Sequence, residues 1–498
     1  MTNIEDLIAT ANRYDRQELI QGWNQDILKN SKIIIIGSDI LANYVALNAS
    51  CLGFGEVEIY GTGKIKDSIQ NFKRTVSKEN SDYSEGFLYY NFPENESKVK
   101  GIENITSMMN QEISIKGINL DMSYGFNWSV IKRPTVIIDA TNNPISKYKA
   151  LSYAKTNNIP FVSVSSNSKI GKIGLKVPQD EKDENYENNL LFHDLENKQG
   201  EMTSMIMSAL AVDEARKSLM LLPGEQKLDD IVVYNKQSNQ KFDLAEDLEI
   251  KDEKVLRNKH ILQIGAGSEG NFTALGFVIR DVGKLTLIDD DVAELINLNR
   301  QPFLYDGVDQ PKVQAAIDKF KRINPRIEYE PIQKRVGLDF ESYFENNKPD
   351  LIVDTVDNNK TRALLNYFSL KYDIPFISGG TRYNSGQAVV SIPGKTACLN
   401  CKVDIDKMAL DSYTPQSCIL AAQPSVITSN QIIAGLMVEE AERIVAPEIY
   451  GNPTNKIIKY ISGESLRLGL LPTIERCDCN KNGYVNTWVD KMKHLYGG

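Results

Sequence analysis

Apolar residues in this chain come in short runs, each stopped by glycine or acid. KIIIIG (32–37) and HILQIG (260–265) are two such runs. PTVIIDATNN (134–143) pairs with PDLIVDTVDNN (349–359), and NIPFVSVSS (158–166) with DIPFISGGT (373–381). TSMIMSALAVDEARKSL (203–219) and TSNQIIAGLMVEEAERIV (428–445) are too long for strands and read as helices. Four matches in one order mean an internal duplication, with a period too long for a solenoid. The expected fold is α/β, with two tandem Rossmann-like domains over 1–250 and 251–498. Residues 64–130 show no clean period and read as helical and loop insertions. The acidic, polar stretch 178–201 reads as a solvated loop.

The most informative stretch is 259–301, KHILQIGAGSEGNFTALGFVIRDVGKLTLIDDDVAELINLNRQ. It reads as strand, glycine turn, helix, strand, acid. Gly265, Gly267 and Gly270 allow a tight turn and close approach to a phosphate, which the helix N-terminus then faces with free N–H groups. Asp289, ending the second strand, is placed to hold ribose hydroxyls. A bare turn in an α/β core is the plainer reading, and the strand and helix context speaks against it. The first half has lost these features. Gly37-Ser38-Asp39-Ile40-Leu41-Ala42 stands where the second half has its glycine turn, an offset of 228 residues (265 − 37). The same offset puts Gly61 at the position of Asp289, and an offset of 215 (354 − 139) puts Asn142 at Asp357. The first half therefore reads as a nucleotide-incompetent partner, the rival being that it binds a different nucleotide.

Asn297, Arg300 and Gln301 in NLNRQ, and Lys312 in QPK, exceed what a dinucleotide site needs. Fixed cations suit a polyphosphate. With these words, GAGSEG, DDDVAELINLNRQ, QPK and VDTVDN (353–358), the chain resembles the ThiF/MoeB/ubiquitin-activating superfamily. That resemblance implies ATP-dependent activation of a C-terminal carboxylate as an acyl-adenylate. It implies that Asp289 holds ribose, that Asn297 lies near the phosphates, and that Asp357 binds Mg²⁺, Arg300 and Lys312 supplying positive charge. A helix N-cap is the plainer role for Asp357. RYDRQ (13–17) resembles the superfamily's RYxRQ element, whose second arginine reaches the other subunit's ATP. It occurs only before the first half, so Arg16 is expected to act in trans within a single-chain pseudo-dimer. The plainer reading is a solvated helical arginine. One departure stands out: Glu269 puts a carboxylate beside the phosphate loop, where the superfamily has an apolar residue.

Cys398, Cys401, Cys477 and Cys479 form two close pairs with the count and softness for a closed tetrahedral Zn²⁺ site, a site the resemblance also implies. The alternative is that one pair merely packs. Cys418 precedes the second repeat helix. It is either a thiol acceptor of the activated acyl group or an inert small residue. Cys51, within an apolar helix, reads as core. The chain ends in Gly497-Gly498, as carrier substrates of the superfamily do, which raises self-activation as a hypothesis.

Composition narrows the class. Of 498 residues, 41% are hydrophobic and 25% charged, as in ordinary globular chains, and the net charge of −9 gives no electrostatic case for nucleic-acid binding. No apolar run could span a membrane and no signal-peptide core opens the chain, so a cytoplasmic enzyme is expected. The leading expectation is an ATP- and Mg²⁺-dependent adenylyltransferase acting on a small carrier protein or peptide, with homodimerisation left open. A non-catalytic scaffold binding such a partner is the alternative, and an NAD oxidoreductase a weaker one that leaves NLNRQ and QPK unexplained.

Overall fold

A computed structural model describes residues 12–65, 82–89, 92–195, 198–236, 253–411, 423–463, 466–479 and 483–496. The first half builds a seven-stranded sheet from β1 (Lys32–Ile36), β2 (Glu56–Gly61), β3 (Ser114–Asn119), β4 (Val136–Asp139), β5 (Phe161–Ser166), β6 (Ile170–Lys176) and β7 (Val232–Asn235). Its order is β3-β2-β1-β4-β5-β6-β7. The second half repeats that order as β10-β9-β8-β11-β12-β13-β14 and adds β15. These strands are β8 (His260–Ile264), β9 (Lys284–Ile288), β10 (Glu328–Ile332), β11 (Leu351–Asp354), β12 (Phe376–Arg382), β13 (Ser385–Ser391), β14 (Ile457–Ser462) and β15 (Leu466–Leu471). In each sheet the first five strands are parallel and the remainder antiparallel. The chain reverses strand order beside β1 and β8, where open α/β sheets place ligands at the strands' carboxyl ends.

Nine helices matter for the site. In the first half they are α1 (Ile40–Leu52), α2 (Lys98–Met109), α3 (Pro144–Asn157) and α4 (Glu201–Leu219). In the second they are α5 (Ser268–Ile279), α6 (Lys312–Ile323), α7 (Asn359–Tyr372), α8 (Ile427–Val445) and α9 (Tyr484–Met492). Helix α1 carries no charged residue and all of it is buried, as expected of a helix enclosed on every side. Helices α1, α4, α5 and α8 pack together between the two sheets. Glycines bring them close: a Cβ on Gly435 would lie 2.7 Å from Ile206, and one on Gly276 2.7 Å from Val438.

This shared core also encloses charge. Arg280 pairs with Glu442 and, at 2.9 Å, with Glu201, while Lys236 reaches Glu442 at 3.0 Å across the halves. Among the described residues, no helix is long and apolar enough to cross a membrane. The stretch 178–201 is not a solvated loop throughout. Leu190, Leu191, Phe192 and Leu195 are buried, so its apolar part caps the first sheet, while its acidic start and polar residues such as His193 and Asp194 face solvent.

Candidate active site

The turn after β8 is built as the glycines require. Gly265 has φ +101°, and a Cβ there would lie 2.6 Å from the Thr355 hydroxyl, which donates to the carbonyls of Gly265 and Ile264. A Cβ on Gly270 would collide with the Gly265 carbonyl, so only glycine lets α5 sit this close to β8. A Cβ on Gly267 would meet nothing within 4 Å, so the turn faces open space there. The Gln263 amide braces the turn from beneath by donating to the carbonyls of Gly265 and Gly270, each at 2.9 Å. The carboxylate of Asp289 accepts from the N–H groups of Ala266 (2.7 Å) and Asp291 (2.9 Å). Burial raises its pKa, against the nearby Lys312 charge.

The NLNRQ stretch folds into a turn beside this loop. Asn297 accepts from the Glu294 N–H at 3.0 Å, and Arg300 donates to Ile296 O and to Asn299. Asn271 of α5 ties the two together, donating to Ala266 O and accepting from Phe303 N–H. Gln301 is buried, with no hydrogen-bond partner for its Oε1 among the described residues. Lys312, which opens α6, pairs with Asp291 at 2.6 Å.

RYDRQ from the first half lies on NLNRQ of the second. Arg13 donates to Leu298 O at 3.5 Å and Asn299 to Gln17 at 3.2 Å, while Arg16 O accepts from Ser425 N–H at 3.1 Å. Arg16 is half-buried rather than solvated. Arg300 is buried, and its pKa falls to about 9, first through burial and then through the like charge of Arg16. The charge of Arg16, from the first half, thus bears on Arg300 in the NLNRQ turn, which Asn271 ties to the glycine turn.

Asp357 follows β11 and is exposed. It does not cap α7: Asn358 does, its side chain accepting from Thr361 N–H at 2.8 Å. The carboxylate of Asp357 therefore stays available at the strand's carboxyl end, a suitable donor for a hard divalent cation. Sequence reasoning missed Arg362, which donates to Val356 O and, at 3.0 Å, to the Ser378 hydroxyl, holding the loop that carries Asp357. The repeat could have revealed it, since Lys147 of the first half occupies the same place and pairs with Asp139 as Arg362 pairs with Asp354.

Glu269 turns inward. A Cβ on Gly379 would collide with its carboxyl, which lies against β12 and Met437 rather than over the glycine turn. Burial pushes its pKa up to about 8, so at neutral pH it is largely protonated and adds little negative charge.

The first half differs at each matching place. Gly61 leaves no room for an acid, because a Cβ there would lie 2.9 Å from the Gly37 carbonyl. Asn142 is turned in, donating to Ser166 O and accepting from its N–H.

The thiols of Cys398, Cys401, Cys477 and Cys479 all lie within 4.8 Å of one another, and Cys401 and Cys479 sulfurs are 3.4 Å apart. Zn–S bonds of about 2.3 Å require sulfurs about 3.8 Å apart in a tetrahedron, so this set fits zinc. Cys51 is core, fully buried. Cys418, Gly497 and Gly498 lie outside the described residues.

The Escherichia coli (strain K12) molybdopterin-synthase adenylyltransferase is 30% identical to this chain over 211 residues, 42% of this chain and 81% of that protein. The Bacillus subtilis sulfur carrier protein ThiS adenylyltransferase is 33% identical over 156 residues, 30% of this chain and 46% of that protein. The ubiquitin-like modifier-activating enzyme 5 of Gallus gallus is 30% identical over 205 residues, 38% of this chain and 51% of that protein. This chain thus spans about half the length of the last two. A crystal structure of E. coli MccB with ATP resembles it at a TM-score of 0.37 and 20% identity, over 45% of this chain and 65% of that one. The relatives are adenylyltransferases and activating enzymes of one type. The ThiF family model matches residues 14–253 and again residues 234–479, so the chain belongs to the ThiF family, twice over in a single polypeptide.

Proposed function

We propose that the second half adenylates the C-terminal carboxylate of a small carrier protein or peptide, using ATP, while the first half donates Arg16 to that site. The observation that carries this reading is the convergence of Arg16 and Arg300, locked by contacts of Arg13 and Gln17 with the NLNRQ turn. Burying Arg300 close to a second, half-buried arginine is unfavourable unless an anion joins them, and a polyphosphate supplies one.

In this reading the glycine turn and the α5 N-terminus hold the phosphates, and Asp289 takes the ribose. The substrate carboxylate oxygen attacks the α-phosphorus, and the bond to the pyrophosphate oxygen breaks. Arg16, Arg300 and Lys312 stabilise the charge that develops on the phosphoryl oxygens and the leaving group. Asn297 and Gln301 position the phosphates. Asp357 is the residue that would hold Mg²⁺, which when bound neutralises phosphate charge. The four cysteines would hold a structural Zn²⁺, in a reducing compartment such as the cytoplasm. Cys418 is the proposed thiol acceptor of the acyl group.

ATP–pyrophosphate exchange tests the proposal, run with carriers and peptides bearing free C-termini. Arg16→Met and Arg300→Met should each slow exchange by about 10²–10³-fold, the usual loss on removing one transition-state donor. Asp357→Ala should abolish Mg²⁺-dependent exchange. Full exchange in Arg16→Met would sink the trans role.

A further inference from the structure

By sequence the first half looks like an eroded phosphate site, but its structure shows a filled one. Lys98 opens the twelve-residue α2 just as Lys312 opens the twelve-residue α6. Each helix is preceded by the same antiparallel bridge, Lys64 with Ser97 in one half and Val292 with Pro311 in the other. Lys98 is thus the counterpart of Lys312, though no QPK word marks it. Its side chain is buried, and its ammonium lies 2.7 Å from Asp39 and 3.1 Å from Glu85. Asp39 occupies the position of Gly267, at the N-terminus of α1, yet its side chain caps none of that helix's amides.

Other oxygens of the chain take those amides. Ser84 O accepts from Ile40 N–H at 3.1 Å, and the Gln199 side chain accepts from Leu41 N–H at 2.9 Å. The matching amides in the second half belong to Ser268 and Glu269, and no oxygen of the described residues is seated on either. The lysine and the helix N-terminus of a phosphate site both survive in the first half. Each is already satisfied by oxygens from Asp39, Ser84, Glu85 and Gln199.

We propose that the first half keeps a self-filled phosphate site, in which the carboxylates of Asp39 and Glu85 stand in for the anion and keep phosphate out. Such an internal ligand has an effective concentration that a dilute anion does not match. The plug also reaches the working half. Tyr83, beside Ser84, donates its N–H to the Glu201 carboxylate that pairs with Arg280, and its hydroxyl to Ile323 O at the end of α6.

The test counts pyrophosphate sites per chain by isothermal titration calorimetry. The Asp39→Gly/Glu85→Gln double variant should bind one more pyrophosphate than the wild type, and adding Lys98→Met should remove that extra site. Equal counts, or an extra site that survives Lys98→Met, would overturn the proposal. The wild-type count reports on the second half alone; only the difference reports on the first. Should the double variant not fold, reductive methylation of the wild type, read by mass spectrometry, decides instead. Pyrophosphate should slow labelling at Lys312 and leave Lys98 unchanged, and slowing at Lys98 would overturn the idea.

Discussion

Glu269 shows how one side chain changes meaning between sequence and structure. In the string GAGSEG it reads as a carboxylate aimed at a phosphate. In the fold it is enclosed against Gly379 and Met437, with one oxygen lacking a hydrogen-bond partner among the described residues. Burial raises its pKa from 4.5 to about 8. Between those values the folded state binds a proton that the unfolded state has released, so stability falls as pH rises through this window. Glu269→Gln removes that proton. Denaturant midpoints should therefore fall between about pH 5 and pH 8 in the wild type, by more than in Glu269→Gln. Parallel slopes would mean that the carboxyl is already ionised. Asp289 and Asp354, also raised mainly by burial, push the slope the same way and remain in the variant.

At the scale of elements, much was legible. The runs that became β1, β4, β8, β9 and β11 are largely apolar because both faces of a central strand are covered, while β5 and β12 start apolar and run on into Ser, Gly or Thr. The long repeat helices α4 and α8 were equally plain. Two edge strands were not. SIKGIN became β3 and EYEPI became β10, each paired on one side only and carrying polar residues, with Pro331 tolerated at the edge. The site was legible where chemistry is written in short words, namely the glycine turn, NLNRQ, QPK and RYDRQ. Lys98 was not, since its role comes from packing against elements distant in sequence, and Arg362 is reachable only through its repeat counterpart Lys147. Nor could spacing show that Asn358 rather than Asp357 caps α7.

The glycine turn makes its own prediction at this scale. A Cβ at position 270 strikes the Gly265 carbonyl, and the first half, with Ala42 there, has Gly37 at φ +132° instead of +101°. Gly270→Ala should therefore leave the chain folded, destabilised by about 1–3 kcal/mol. It should weaken Mg·ATP binding in a titration by pushing α5 away from the turn. Unchanged affinity would show that the close helix approach does not shape the phosphate site.

At the scale of the molecule, the two halves share one core rather than meeting at a surface. Arg280 is fully buried at the junction, between Glu201 of the first half and Glu442 of the second. Removing Arg280 takes one of two cations from each buried carboxylate, leaving Glu442 with Lys236 and Glu201 with Lys254, so Arg280→Ala should cost about 3 kcal/mol, the low end for breaking a buried ion pair. Urea unfolding followed in both halves should still show one transition at a lower midpoint, because the helices that join the sheets lose their bracing together. Two separated transitions would show that the halves are independent units.

The seating of the first half's RYDRQ on NLNRQ has a kinetic consequence. An enzyme that borrows an arginine from a separate subunit loses activity when its dimer dissociates at low concentration. In the proposed arrangement the lender and the borrower are one polypeptide, so bringing them together does not depend on concentration. Under the proposed trans role, activity per milligram should stay flat on serial dilution, since the donating arginine and the site it serves are in the same chain.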